Sequence, residues 1–522
     1  QRDDLLVTAL KPKRQISVML DAAGAESFFP TGGADVPVSA PPPGAGAAPP
    51  PGRDADRLAR ALTSGGDLRI RPDDEGRNPY HASVLPSDAL AYGSSTISSI
   101  SRHSFDALLE RWAHRLGRPM AHDAYAEALG ELRAQLAGRF AYPDTAIVFA
   151  PSGTDLEYAG LAAAWNDRPL PAILLGRDEV GSGCVHSAAG RFFAGETAIG
   201  ASVVAQAAID PAFAGSELVD VAVRDPAGRP RASAKVADEL AAAAQQALAR
   251  GRRAVVHVVH GSKSGLTLPL LADVERLAAA FGDRIVIVVD ACQLRITPTA
   301  VRRYLALGCV VLMTGSKFAG GPPFAGFALV PERLRASARP LPEGYRRVAM
   351  RAEWPAQWPG AQHLPASGNF GLLLRLEAAM IEIARFAEIA PPQVDHVAAR
   401  FRHHARRMSD RLELEMVPGA GGEAAPCLAA GTLCTLDLSA RWPDCDFEAA
   451  RAMHRRIALE SRRWLGREVR LGQPVRTHRL ADGRAAGAMG PSISGPLRPA
   501  LGALAAPAHG APLVGGTGMP PE

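Results

Sequence analysis

From about residue 100 the hydrophobic pattern switches back and forth between two periods. "FDALLERWAHRL" and "AYAEALGELRAQLA" place apolar residues three and four positions apart, which predicts helices. "TAIVFAPSG" is a short apolar run ending in a turn, "LEYAGLAAAWN" a helix and "PAILLG" a strand. The alternation continues with helices in "AKVADELAAAAQQALARG", "LADVERLAAAFG" and "TAVRRYLALG", and with strands in "RAVVHVVHGSKSG", "RIVIVVDACQ" and "CVVLMTGSK". Strands apolar throughout and separated by helices predict an α/β fold, a mainly parallel sheet covered on both faces. Ligands of such sheets sit beyond the carboxyl ends of the strands. Those ends carry the polar residues: Ser152 and Thr154, Ser262, Asp290 and Gln293, and Thr314 to Lys317.

After Pro331 the pattern changes. "NFGLLLRLEAAMIEIARFAEI", "VDHVAARFRHHARRMSDRLEL" and "FEAARAMHRRIALESRRWLG" read as long helices, with a strand in "LCTLDLSA". This predicts a smaller α+β domain over 336–476, after a large domain over 76–335. Residues 1–75 read as a tail containing a linker at 30–52, almost all Pro, Gly, Ala and Ser. Residues 477–522 are again rich in Gly, Pro and Ala and read as a poorly ordered tail.

Composition narrows the field. The 522 residues allow two to four domains, and 47% hydrophobic content fits a globular chain. A net charge of +5, from 58 basic and 53 acidic residues, is too balanced to argue for a nucleic-acid partner, and no basic run interleaves with aromatics. Six cysteines without a CxxC pair speak against a zinc ribbon or disulfide framework and for a reducing cytoplasm. The first twenty residues are charged, without an apolar core of signal-peptide length, and the chain opens on Gln1, as a fragment would. No window reaches the roughly 18 uninterrupted apolar residues of a membrane helix, so no membrane partner is expected.

Three strand-end features carry candidate chemistry. Lys317 follows an apolar strand, and such an amine forms a Schiff base with a carbonyl cofactor where its neighbours lower its pKa; a solvated lysine is the plainer reading. Asp290 closes "IVIVVD", 27 positions earlier, and needs a partner such as a cationic ring nitrogen, a helix N-terminus or a salt bridge. "PSGTD", Pro151 to Asp155, offers hydroxyls, N–H groups and a dipole end to a phosphate, or is an ordinary capping turn. In this order, at strand ends, the three supply a phosphate anchor, an anion for a ring nitrogen and an amine for an aldehyde. Gly and Pro in "FAGGPPFAG", after the lysine, read as a tight turn that lets a ligand approach the backbone. His257 and His260 lie three apart on a strand and face opposite sides, so they do not share a metal.

With these motifs, residues 90–335 resemble the large domain of fold-type-I pyridoxal-phosphate enzymes, and within it the class V aminotransferase and cysteine desulfurase group. The resemblance rests on Asp290-Ala-Cys-Gln293, on Thr314 and Ser316 before Lys317, on Ser262-Lys-Ser-Gly265 and on Ser152, Gly153 and Thr154. It implies that Lys317 holds pyridoxal 5'-phosphate as an internal aldimine. It further implies that Asp290 pairs with the pyridine nitrogen, Gln293 bonds the ring hydroxyl, and Ser152, Gly153, Thr154, Thr314 and Ser316 meet the phosphate. It implies a homodimer whose subunits complete each other's sites, with "SSTISSISRH" (Ser94 to His103) as such a segment or as a helix start. "LGQPV", Leu471 to Val475, resembles a segment on the active-site side of the small domain.

The departures are specific. The group places a ring-stacking His soon after a strand-end Glu; here Val180 and Gly181 follow Glu179, and His186 is the later candidate. The interval from Thr154 to Asp290 is long, and Arg375 and Arg351 stand as candidates for binding a substrate carboxylate. The implied reaction is transfer of an amino group from an amino acid or other amine. The alternatives are a lyase of the desulfurase or kynureninase kind and a non-catalytic cofactor-binding paralogue. A desulfurase needs a loop cysteine, for which Cys427 and Cys434 are available.

Overall fold

The structure, a computed structural model, describes residues 52–93, 96–419 and 431–493. Apart from Gly52, the expected linker at 30–52 lies outside them, as does Cys427. The described chain opens with helix α1 (Arg53–Leu62) and short strand β1 (Leu90–Tyr92). Helices α2 (Arg102–Trp112) and α3 (His122–Phe140) lead into β2 (Ala146–Ala150), α4 (Gly153–Ala164), β3 (Ala172–Leu175) and the one-turn α5 (Cys184–Ser187). Then follow β4 (Leu218–Val221), α6 (Ser233–Ala249), β5 (Ala254–His260), β6 (Thr267–Leu268), α7 (Leu271–Phe281), β7 (Ile285–Asp290), α8 (Pro298–Ala306), β8 (Val310–Thr314) and β9 (Gly326–Val330).

The large sheet runs in the order β2-β9-β8-β7-β5-β3-β4, with β6 paired to β5. The pairs β3·β4, β3·β5, β5·β7 and β7·β8 are parallel, as the unbroken apolar strands predict. Strand β9, absent from the sequence reading, is antiparallel to both neighbours. The segment 315–325 that precedes it holds no helix, and a parallel return needs a longer crossover. Successive residues serve opposite faces: Ile285, Ile287 and Val289 enter one core cluster, Val286 and Val288 the other. Helix α4 lies buried against the second face, and Gly160 permits this, since a Cβ there would sit 2.8 Å from Val288.

The expected domain limits need three corrections. Helix α1 belongs to the large core rather than to a tail, because Leu58 and Leu62 are fully buried in it. Past α9 (Glu332–Ala336), helix α10 (Phe370–Ala387) also packs into that core, against α1, α2 and α3, so the boundary expected at 335 falls too early. The second domain begins with α11 (Pro391–Leu412) and continues through β10 (Glu415–Met416), β11 (Leu436–Asp437), α12 (Phe447–Leu465), β12 (Val469–Leu471), β13 (Val475–Arg479) and β14 (Ala485–Met489). Strands β13 and β14 occupy the stretch expected to be poorly ordered from 477 on. The small residues of β14 are there for fit, since a Cβ at Gly487 would meet Asp446 and Ala450 of the α12 start. The small sheet, β10-β11-β14-β13, is antiparallel, and β12 pairs in parallel with β1.

Glu353 is buried below the first sheet face, accepting from the Met350 N–H at 2.8 Å and the Tyr125 hydroxyl at 3.1 Å. Burial, opposed by these hydrogen bonds, raises its carboxyl to about 7. The folded state then binds the proton more readily than the unfolded one, so this group's contribution falls as pH rises from the ordinary carboxylate range through 7. Glu353→Gln should therefore gain on the wild type between about pH 5 and pH 8, by on the order of 3 kcal/mol in urea unfolding. A stability difference that is flat over that range would refute the buried charge.

Candidate active site

The carboxyl ends of β2, β3, β5, β7 and β8 border a cavity of about 880 Å³, closed on its other side by α12, β13 and the turn before β11. Ser152, Gly153, Thr154, Asp290, Gln293, Thr314, Ser316 and Lys317 all line it. Asp290 is half-buried at the end of β7, with Oδ1 accepting from the Cys292 N–H at 2.9 Å. Gln293 takes its orientation from Arg295, which has only donors: its Nη1 donates to Gln293 Oε1 at 2.6 Å. Arg295 is in turn buried, 5.1 Å above the Phe318 ring, and donates to Thr432 Oγ1.

Lys317 stands three residues beyond β8, half-buried, in a turn tied on both sides. The Ser98 hydroxyl donates to the Ser316 carbonyl at 2.9 Å, and Gly320 N–H donates to the Lys317 carbonyl at 3.0 Å. The glycines of this turn serve packing rather than ligand approach: a Cβ at Gly315 or Gly321 would lie 2.4 or 2.8 Å from Ala379 of α10. Thr314 is less available than expected, because its hydroxyl donates to the Cys292 carbonyl at 2.7 Å.

At the start of α4 the capping reading of "PSGTD" holds, and Ser152 and Asp155 form a reciprocal box. The box takes the Asp155 N–H, while Gly153 and Thr154, the first two helical residues, have no intrahelical acceptor for their N–H groups and line the cavity. Gly153 is required there, since its Cβ would meet Cys292 Sγ at 2.7 Å. Arg69 joins them, a residue that the sequence pattern did not single out. It donates to Ser152 Oγ at 3.1 Å, pairs with Asp67 at 2.6 Å, and lies between the Phe193 and Phe324 rings at 5.2 and 5.1 Å. Burial lowers its pKa, but hydrogen bonding and attraction from Asp67 outweigh this and leave the guanidinium more firmly charged than usual. Burial, with Asp67's charge, raises Asp155 to about 6.

Other candidates fall elsewhere. Ser262 does not line the cavity: its hydroxyl donates to Glu179 Oε2 at 2.6 Å and it accepts from the Leu266 N–H, shaping the turn. The next residue, Lys263, lines the cavity instead, and burial lowers its pKa, aided by the charge of Lys317. His186, on α5, is also absent from the lining, where Cys184 appears. Glu179 is buried among Arg224, Ser262 and Ser264. Arg375 is no carboxylate ligand: fully buried, it donates to the carbonyls of Leu62, Ser64, Gly65 and Phe324. Arg351 donates to the Leu364 carbonyl, away from the cavity. Ser101 and Ser104 both donate to Glu382 at 2.6 Å, so this part of the hydroxyl-rich stretch serves its own chain as a helix start. His257 meets Glu157 and His260 meets Tyr304, on opposite faces of β5. "LGQPV" reaches the cavity through Gly472 to Val475.

No family model matches the chain, and no curated protein matches it. Solved structures do. A cysteine desulfurase from Thermococcus onnurineus NA1 in its apo form is 14% identical, over 80% of this chain and 92% of that one, with a TM-score of 0.47. An alanine–glyoxylate aminotransferase from Nostoc sp. is 16% identical, over 80% and 94%, with a TM-score of 0.47. A pyridoxamine–pyruvate aminotransferase from Mesorhizobium loti is 16% identical, over 82% and 94%, also with a TM-score of 0.47.

Proposed function

We propose that this chain is a pyridoxal-phosphate-dependent enzyme of aminotransferase-like activity on an amino acid or other amine. The observation that carries the reading is one cavity lined by a strand-end carboxylate, a strand-end amine and an open helix N-terminus, contributed by β7, β8 and β2–α4. These groups fit the cofactor's three chemical needs. Bound pyridoxal phosphate would supply an electron sink for the bond broken at the substrate's α-carbon. Asp290 would hold a proton on the ring nitrogen, and the Gln293 amide would orient the ring. The α4 N-terminus, Ser316 and Arg69 would hold the phosphate. Lys317 would attach the cofactor and move the proton at the α-carbon. Cys434 lines the cavity, but burial pushes its thiol up to about 12, which speaks against a thiolate nucleophile there at neutral pH. That removes Cys434 from the desulfurase alternative, whose other candidate, Cys427, lies outside the described residues.

The test is reconstitution of the full chain with pyridoxal phosphate. A visible absorption band should appear, bleach with borohydride and leave reduced cofactor on the peptide holding Lys317. Mixing with amino acids should then shift the band and yield an oxo acid. No band at all would end the reading. A band with no turnover on any amine would leave a cofactor-binding paralogue, and alanine with released sulfur would establish the lyase.

A further inference from the structure

We propose that the substrate carries a second anionic group, a carboxylate or phosphoryl oxyanion remote from its reacting carbon, and that Lys263, Arg177, Arg455 and Arg476 receive it. The inference rests on the functional reading above for the reacting end of the substrate. Its own basis is the charge of the cavity wall. Seven cationic side chains line the cavity, against three carboxylates. Arg69 is committed to Asp67 and to the α4 end. Arg451 pairs with Glu448 at 3.0 Å, and Arg476 stands a loose 3.8 Å from Asp178. Among the described residues, Arg177, Lys263 and Arg455 make no ion pair.

The four cations come from both domains. Arg177 and Lys263 follow β3 and β5 of the large sheet, while Arg455 and Arg476 sit on α12 and β13 across the cavity. Arg455 lies one turn beyond Arg451 and so shares its face of α12. Arg476 is fixed over the Phe447 ring at 4.1 Å, a contact that orients a guanidinium without neutralising it. Like charges facing one cavity repel, and an anion bound among them relieves that repulsion and is drawn in by it. A cofactor phosphate at the α4 N-terminus leaves Arg177, Lys263 and Arg455 without an ion pair, more cations than one substrate α-carboxylate needs. A volume of about 880 Å³ is toward the upper end of small-molecule sites, which leaves room for an extended substrate.

The experiment has two arms. In the first, reconstituted full chain is titrated with aspartate, glutamate and phosphoserine and with their neutral counterparts asparagine, glutamine and serine, following the cofactor band. The acidic member of at least one pair should half-saturate at about tenfold lower concentration, and the better of carboxylate and phosphoryl names the group. In Arg455→Gln and in Lys263→Gln the acidic-to-neutral ratio should collapse to about twofold. In the second arm, succinate and butyrate are compared by calorimetry on the protein as purified, a readout independent of cofactor and turnover. Succinate should bind about tenfold more tightly. A missing band would refute the cofactor reading alone, and the calorimetric arm would then decide the present one. Acidic and neutral compounds alike within about twofold, or succinate no tighter than butyrate, would overturn it.

Discussion

Lys317→Ala should abolish the borohydride-fixed attachment of pyridoxal phosphate and lower turnover by about a thousandfold, the scale of a positioned acid–base group. The loss should be chemical, with the fold retained. The turn around residue 317 is held through backbone groups, by Ser98 on the Ser316 carbonyl, by Gly320 on the Lys317 carbonyl and by Gly321 on the Gly315 carbonyl. An alanine keeps all of these and removes only the amine and its stem. Circular dichroism and the urea midpoint of the variant should therefore match the wild type. Lys263→Ala makes the comparison strict, because a second amine lines the same cavity. It should keep the label. A label that survives in Lys317→Ala and vanishes in Lys263→Ala would reassign the attachment point and overturn the reading of β8.

Much of this arrangement is legible in the chain because strand ends announce themselves. Asp290 and Lys317 are polar residues closing apolar runs, and a parallel sheet collects such ends on one side. The same logic misplaces Ser262 by one residue, since the turn after β5 buries the serine on Glu179 and leaves Lys263 at the cavity. Arg69 is not legible, because it lies in a single 3-10 turn, Leu68–Ile70, too short for a period to mark which side faces in. Its place is set by tertiary contacts, with α1 packed on α10 and Phe193 and Phe324 on either side of its guanidinium. Composition misleads at β14, where "AAGAM" looks like tail sequence but its Ala and Gly residues fit beneath α12. The late domain boundary has a similar cause. Helix α10 is apolar on most of its surface because it is surrounded, and hydrophobic pattern alone does not tell which core surrounds it.

Arg375→Met should destabilise the protein by about 3–5 kcal/mol, the range for breaking a buried charged network. Arg375 is fully buried on α10, and its guanidinium donates to four carbonyls, of Leu62, Ser64, Gly65 and Phe324. Burial lowers its pKa to about 9, which still leaves it charged at neutral pH, and the carbonyl dipoles are what make that charge tolerable. Methionine fills similar volume but donates nothing, so those carbonyls lose their partner, at roughly 1–3 kcal/mol for each one that water cannot reach. The damage is directed. Three of the carbonyls belong to the last residue of α1 and the turn after it, the fourth to the loop after Lys317, and Arg69 follows Gly65 by four residues. Release of that segment should open 62–69 to proteolysis and weaken cofactor binding by moving Arg69 from the α4 end. Arg375→Lys keeps the charge but not the five-donor fork, and should fall between the two. A urea midpoint and proteolytic pattern unchanged in Arg375→Met would show that the N-terminal segment is held without this residue, and that Arg69 reaches the cavity by other means.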